Sequence, residues 1–249
     1  MMNLQQYKHS MEDEAFKEML DTVAFGDNIA FHYKENIEKK RRPDLLGKTA
    51  KVSGLQFQNI DSIAKCICKI LQISCPDIYI YEDFYYGVES KGMDSPWIEI
   101  SAKTIVDFSD EEITFLIAKA LCDIKLKHTY YFTLIDAAED VMQGIGLPGM
   151  KTYSAVQKQT MYRWSRIAHY TSDQFAYLIA KSLKSSIQAI MLLIFNNRFI
   201  VDNINLKEYI RQTEEINFLN DQISNSSKLD EMIPYGPFRI KNLLTFAIN

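Results

Sequence analysis

Two short spacings hold most of the side chains in this chain that could do chemistry. Lys119 and Asp123 lie one helical turn apart in "SDEEITFLIAKALCDIKLKHTYY" (109–131), and His169 and Asp173 one turn apart in "YRWSRIAHYTSDQFAYLIA" (162–180). Asp123, His169 and Asp173 are each competent ligands for a divalent metal. Lys119 is not, because a protonated ammonium has no lone pair to donate and repels a dication. As an exposed i,i+4 pair with the lysine first, Lys119 and Asp123 would contribute at best ~0.2–0.5 kcal/mol. On a helical wheel both sit beside the apolar stripe rather than at its centre.

Other chemistry is thinly represented. Cys66, Cys68, Cys75 and Cys122 form no C-x-x-C pair and match no standard zinc spacing. They read as free thiols in a reducing compartment. The Gly-x-Gly of "MQGIGLPGMKT" (142–152) lacks the Gly-Lys-Ser/Thr ending of a phosphate cradle and reads as a loop. A net charge of −4 argues against wholesale nucleic-acid binding. The N-terminus lacks a signal-peptide core, and the longest apolar run, "AIMLLIF" (189–195), falls short of a membrane span. A cytoplasmic protein is expected, with no transmembrane segment.

The elements that would position these residues follow from periodicity. Phe16, Met19, Leu20 and Val23 mark an amphipathic helix within 11–40, interrupted near Gly26 and Asp27. The basic run Lys39–Arg42 reads as solvated charge at a helix C-terminus, just before Pro43. Residues 59–73 predict a helix with Ile63, Cys66, Ile67, Ile70 and Leu71 as its stripe. "DIYIYEDF" (77–84) and "PWIEISAK" (96–103) read as strands able to form an antiparallel hairpin, with "YGVESKGMDS" as its turn. Ser109 and Glu112 form a capping-box signature, and Ile113, Leu116, Ile117, Ala120, Leu121 and Ile124 predict a buried helix to about His128. Further helices fill 155–196, with breaks, and the tail (204–249). The expected class is α+β, mostly helical with a small antiparallel sheet.

In this order, the motifs resemble the M48 family of zinc metallopeptidases. "EEITFLIAKALCDIKLKH" (111–128) is similar to that family's metal-binding helix, "EELxFxIxHELxHIKxxH". "RWSRIAHYTSDQFAYLI" (163–179) is similar to its later "WxRxAExxxDRAxLL", and "PYGPFRIKNLLTF" (234–246) to its closing histidine-proline segment and following arginine. The resemblance spans roughly residues 50–246. It implies a zincin-like fold, an N-terminal helical extension (1–48) and a peptidase domain (49–249). It also implies a zinc site, and there the chain departs from the pattern. Lys119 stands at the first histidine, Ala120 at the general-base glutamate, Asp123 at the second histidine and His169 at the third ligand. Asp173 matches an aspartate just behind the metal shell, and His128 a histidine outside it.

The departures imply a pseudo-peptidase that has lost zinc hydrolysis and retains peptide or protein binding, with no cofactor. In such folds an extended substrate adds to the sheet beside the metal helix, so the expected groove is Trp97, Ile98, Glu99, Ile100 and Ser101. Within the pseudo-site, Lys119 would take over the charge role of the metal, neutralising Asp123 and Asp173 near His169. Two alternatives stand beside this reading. One is a hydrolase with a rebuilt site at Asp123, His169 and Asp173. The other is a structural subunit whose groove is filled by its own Gly144–Gly149 segment.

Overall fold

The computed structural model describes residues 3–23, 27–142 and 154–248. After a 3-10 turn at Leu4–Gln6 come α1 (Glu12–Thr22), α2 (Asp27–His32), a π-helical stretch (Tyr33–Glu38) and α3 (Lys39–Lys48). In α1 the buried face is Glu12, Ala15 and Met19, continued by Val23, whereas Leu20 is exposed. The basic run does not end a helix. It opens α3, which continues through Pro43. Carboxylates answer its charges: Lys39 pairs with Glu35, Arg42 with Glu38 and Arg41 with Glu99.

The sheet contains β1 (Ala50–Lys51), β2 (Ile78–Tyr81), β3 (Val88–Lys91) and β4 (Trp97–Ser101), in the order β1-β2-β4-β3. It is mixed rather than antiparallel. β4 runs parallel to β2, pairing Ile78 with Ile98 and Ile80 with Ile100, and antiparallel to β3. The expected hairpin is therefore wrong: the segment read as its turn contains β3, and β4 inserts between β2 and β3. All five residues of β4 are buried. An interior strand of this kind needs a partner on each edge, which a two-stranded hairpin cannot give.

On one face of the sheet Ile98 and Ile100 join the main core, to which helix α4 (Gln58–Leu71) also contributes. Its buried stripe is Ile60, Ala64, Ile67, Cys68 and Leu71, so Cys66 and Ile70 face outward, contrary to the sequence reading. On the opposite face Tyr79 and Trp97 pack with Leu45 of α3, and Glu99 bonds Arg41 and the Trp97 indole.

The chain continues through α5 (Ala102–Asp107), α6 (Asp110–Lys125), α7 (His128–Met142), α8 (Ala155–Ala180) and α9 (Leu183–Phe195). It closes with α10 (Arg198–Asn203), α11 (Leu206–Phe218), α12 (Gln222–Leu229) and α13 (Gly236–Ile248). The Ser109–Glu112 capping box is present in full and starts α6. Ser154 and Gln157 do the same for α8. Lys127 adopts a left-handed conformation (φ 61°), so the chain turns and His128 opens α7 instead of ending α6. Helix α6 is the central element, packed against α4, α8 and α9. Helix α1 packs along α8, where Ala15, Met19 and Val23 meet Ile135, Met161, Trp164 and Ala168. At the start of α13 Gly236 leaves room for the side-chain ends of Tyr209 and Ile194, which an added Cβ would displace.

The architecture is mostly helical α+β. Among the described residues no helix is long and apolar enough to cross a membrane. The Gly144–Gly149 segment lies outside the described residues.

Candidate functional site

Helices α6 and α8 bring the two spacings together. On α6, Lys119 and Asp123 share a face because four residues make about one turn. The Lys119 ammonium donates to Asp123 Oδ2 at 2.8 Å, and the two side chains are only 13% and 5% exposed. This is a buried ion pair rather than the solvated surface pair that sequence spacing also allows.

Asp123 is saturated. Its other oxygen, Oδ1, accepts from the Ser172 hydroxyl on α8 and from His128 Nδ1 at 3.1 Å. Burial alone would push the Asp123 carboxyl up. The positive charges of Lys119 and His128, with the His128 hydrogen bond, overcome that and hold it well below the usual carboxylate range. The remaining nitrogen of His128, Nε2, meets Glu12 Oε1 of α1 at 2.9 Å, and Glu12 Oε2 accepts from the Thr171 hydroxyl of α8. Glu12, Asp123 and His128 are all buried. One chain of hydrogen bonds thus runs from α6 through the first residue of α7 to α1 and α8.

Asp173 lies elsewhere in the same interior. It forms a two-pronged pair with Arg239 of α13, with Nη2 to Oδ1 at 2.7 Å and Nε to Oδ2 at 2.5 Å. The expected partnership of Asp173 with Lys119 is therefore corrected: a guanidinium in fork geometry neutralises it. His169 is half-buried and stacks on Phe132, with ring centroids 4.9 Å apart and planes 18° apart. Its Nδ1 has no hydrogen-bond partner. Burial, then the nearby Lys119 charge, push its pKa well below the ordinary histidine value, which favours the neutral ring.

Asp123, His169 and Asp173 therefore face different partners. Among the described residues, no three His, Cys, Asp or Glu side chains form a group suited to holding a metal ion. Ala120 is buried in the apolar face of α6 and offers no proton acceptor. Two cations, Lys119 and His128, flank Asp123 on a face that carries the second histidine of the resembled pattern. Their combined charge is that of a dication when His128 is protonated.

The groove expectation needs a different address. Trp97, Ile98, Glu99, Ile100 and Ser101 form the interior strand β4, whose backbone pairs on both sides with β2 and β3. An added strand cannot pair there. The last strand in the order is β3, which lies against α6 and α7, with Ser90 Oγ bonded to Thr129 Oγ1 at 2.6 Å.

Sequence reasoning did not select Glu12, Thr171, Ser172 or Arg239. Glu12 carried a usable signal, since an acidic residue in register with Ala15, Met19 and Val23 sits on an apolar stripe and must find a buried partner. Arg239 lay inside the closing segment of the resemblance without an assigned partner. No protein-family model matches this chain, and no curated protein sequence does.

Proposed function

We propose that this chain is an M48-like pseudo-peptidase: a zincin-type scaffold that binds an extended peptide or protein segment without cleaving it. The observation that carries the reading is the buried pair of Lys119 with Asp123, at the two positions where the resembled family places its paired histidines. An ammonium fixed there cannot ligate, and Ala120 supplies no base to activate water. Support also comes from the mixed sheet, whose strand β3 lies alongside the helix carrying Lys119. Backbone pairing to a sheet edge needs no metal, so that mode of recognition outlives the lost chemistry. The binding strand is thus β3, with Val88, Glu89, Ser90 and Lys91, rather than β4.

Selection of random extended peptides on the full-length chain tests this reading. Selected peptides should slow amide exchange across residues 88–91, should survive incubation uncut, and should bind equally with and without a chelator. Peptides that leave β3 exchange untouched, or cleavage abolished by a chelator, would overturn it.

A further inference from the structure

His128 is the one histidine in the described structure whose two ring nitrogens both face carboxylate oxygens: Nδ1 meets Asp123 Oδ1 at 3.1 Å and Nε2 meets Glu12 Oε1 at 2.9 Å. A neutral imidazole carries a single N–H, so one of these contacts would set a lone pair against an anion. With both carboxylates ionised, the two contacts are satisfied together only by the doubly protonated ring. Charge balance points the same way. The interior shared by α1, α6, α8 and α13 holds three carboxylates, Glu12, Asp123 and Asp173, against two fixed cations, Lys119 and Arg239. An imidazolium at His128 makes the cluster neutral.

We infer that His128 is a proton-operated latch that holds helix α1 closed over the α7–α8 face and releases it when the ring loses its proton. The buried polar attachment of α1 is local to its first turn. Glu12 is its buried charge, bonded to His128 and Thr171, and the Thr171 hydroxyl in turn accepts the His9 amide at 3.0 Å. Beyond Glu12, α1 is held by Ala15, Met19 and Val23 against Ile135, Met161 and Trp164, by exposed pairs of Glu14 and Glu18 with Arg163, and by the Gln157 amide donating to the Thr22 carbonyl at its far end. Deprotonation leaves Glu12 as a buried anion against a lone pair, at the first turn of the helix. α1 then opens from that end, baring the Trp164 side of α8.

The direction with pH follows from the groups around the ring. Burial alone would lower the His128 pKa, but the bonds and charges of Asp123 and Glu12 raise it above the ordinary value. The stability it contributes is fully present below about pH 6.5 and is lost as pH rises through the folded value. The other histidines near the cluster act in the opposite sense. Burial lowers the pKa of His9, despite Glu12 nearby, and that of His169, which Lys119 and Arg239 lower further. Those two weaken the fold on acidification and cannot loosen it on the alkaline side. The Cys122 thiol, which burial and then Asp123 and Glu12 push up, does so only as pH passes its ordinary value of about 8.5, so loosening below that pH belongs to His128. From α8 the ring also meets Ser172 at 3.3 Å and the edge of Trp164, neither of which titrates in this range.

Amide exchange of the full chain at pH 6 and pH 8, corrected for intrinsic rates, tests the latch, with α4 as the internal reference. Opening of α1 relative to α4 should rise about ten-fold for each unit of pKa displacement. In Glu12→Gln, which removes one of the two anions, α1 should open more at pH 6 and show a smaller rise. Nitrogen NMR of the native chain should show both His128 ring nitrogens protonated at pH 6. A constant ratio of α1 to α4 exchange, or an unprotonated His128 nitrogen at pH 6, would overturn the latch. That the bared surface belongs to a binding scaffold rests on the reading above, whereas the latch itself does not. Failure of the peptide selection therefore leaves the exchange test standing, and the reverse also holds.

Discussion

Replacing Lys119 with methionine keeps the aliphatic stem of the side chain and deletes the ammonium. The structure sets the scale of the loss. Lys119 Nζ lies 2.8 Å from Asp123 Oδ2, with the side chains 13% and 5% exposed, so the variant strands a buried carboxylate. Removing one member of a buried pair costs ~3–5 kcal/mol. Asp123 retains His128 and Ser172, which places the expected loss near the lower end, ~3 kcal/mol. For a chain of this size each kcal/mol moves the midpoint by ~2–4 °C, so Tm should fall by ~6–12 °C. A solvated pair at the same spacing would contribute ~0.2–0.5 kcal/mol and move Tm by at most ~2 °C. Thermal unfolding followed by circular dichroism separates the two. A double-mutant cycle with Asp123→Asn should add a coupling energy above ~1 kcal/mol. A Tm within ~2 °C of the native chain would refute the claim that this ammonium neutralises the interior of the site.

Two further outcomes follow from the same cluster. In Lys119→Met the Asp123 carboxyl loses an attraction that keeps its folded pKa low, so the acid-unfolding limb should move to higher pH; an unmoved limb in denaturant titrations would contradict this. Substituting Phe for His169 keeps the stack on Phe132 and removes a buried nitrogen that has no partner. Because the folded pKa of His169 is lowered, native stability should decline below about pH 6.5, and His169→Phe should flatten that decline between pH 7 and 5. An identical decline in both proteins would place the acid sensitivity elsewhere.

Much of the fold was legible because local signals were strong. Ser109 and Glu112 start α6 where the capping box requires, and the apolar period of 113–124 buried that helix. The sheet was misread for a physical reason. "VESK" (88–91) is polar and partly exposed, as suits the last strand of a sheet, so nothing in its pattern distinguished it from a turn. With β3 missed, "WIEIS" was paired as a hairpin strand, although its burial on both faces belongs to an interior one. In the candidate site, spacing on one helix revealed the Lys119–Asp123 pair. Partners 116 and 66 residues distant, Glu12 for His128 and Arg239 for Asp173, depend on tertiary packing that no local pattern encodes.

The most direct test rebuilds the resembled zinc site in the full-length chain: Lys119→His, Ala120→Glu, Asp123→His and His169→Glu together. Metal content after zinc equilibration and dialysis is the measurement. If an ammonium and its neighbours have overwritten a dication pocket, the folded quadruple variant should retain about one zinc per chain, and the native protein none at this position. A folded quadruple variant that fails to hold zinc, or a native chain that holds it stoichiometrically and loses it on substitution of His169, would contradict the account.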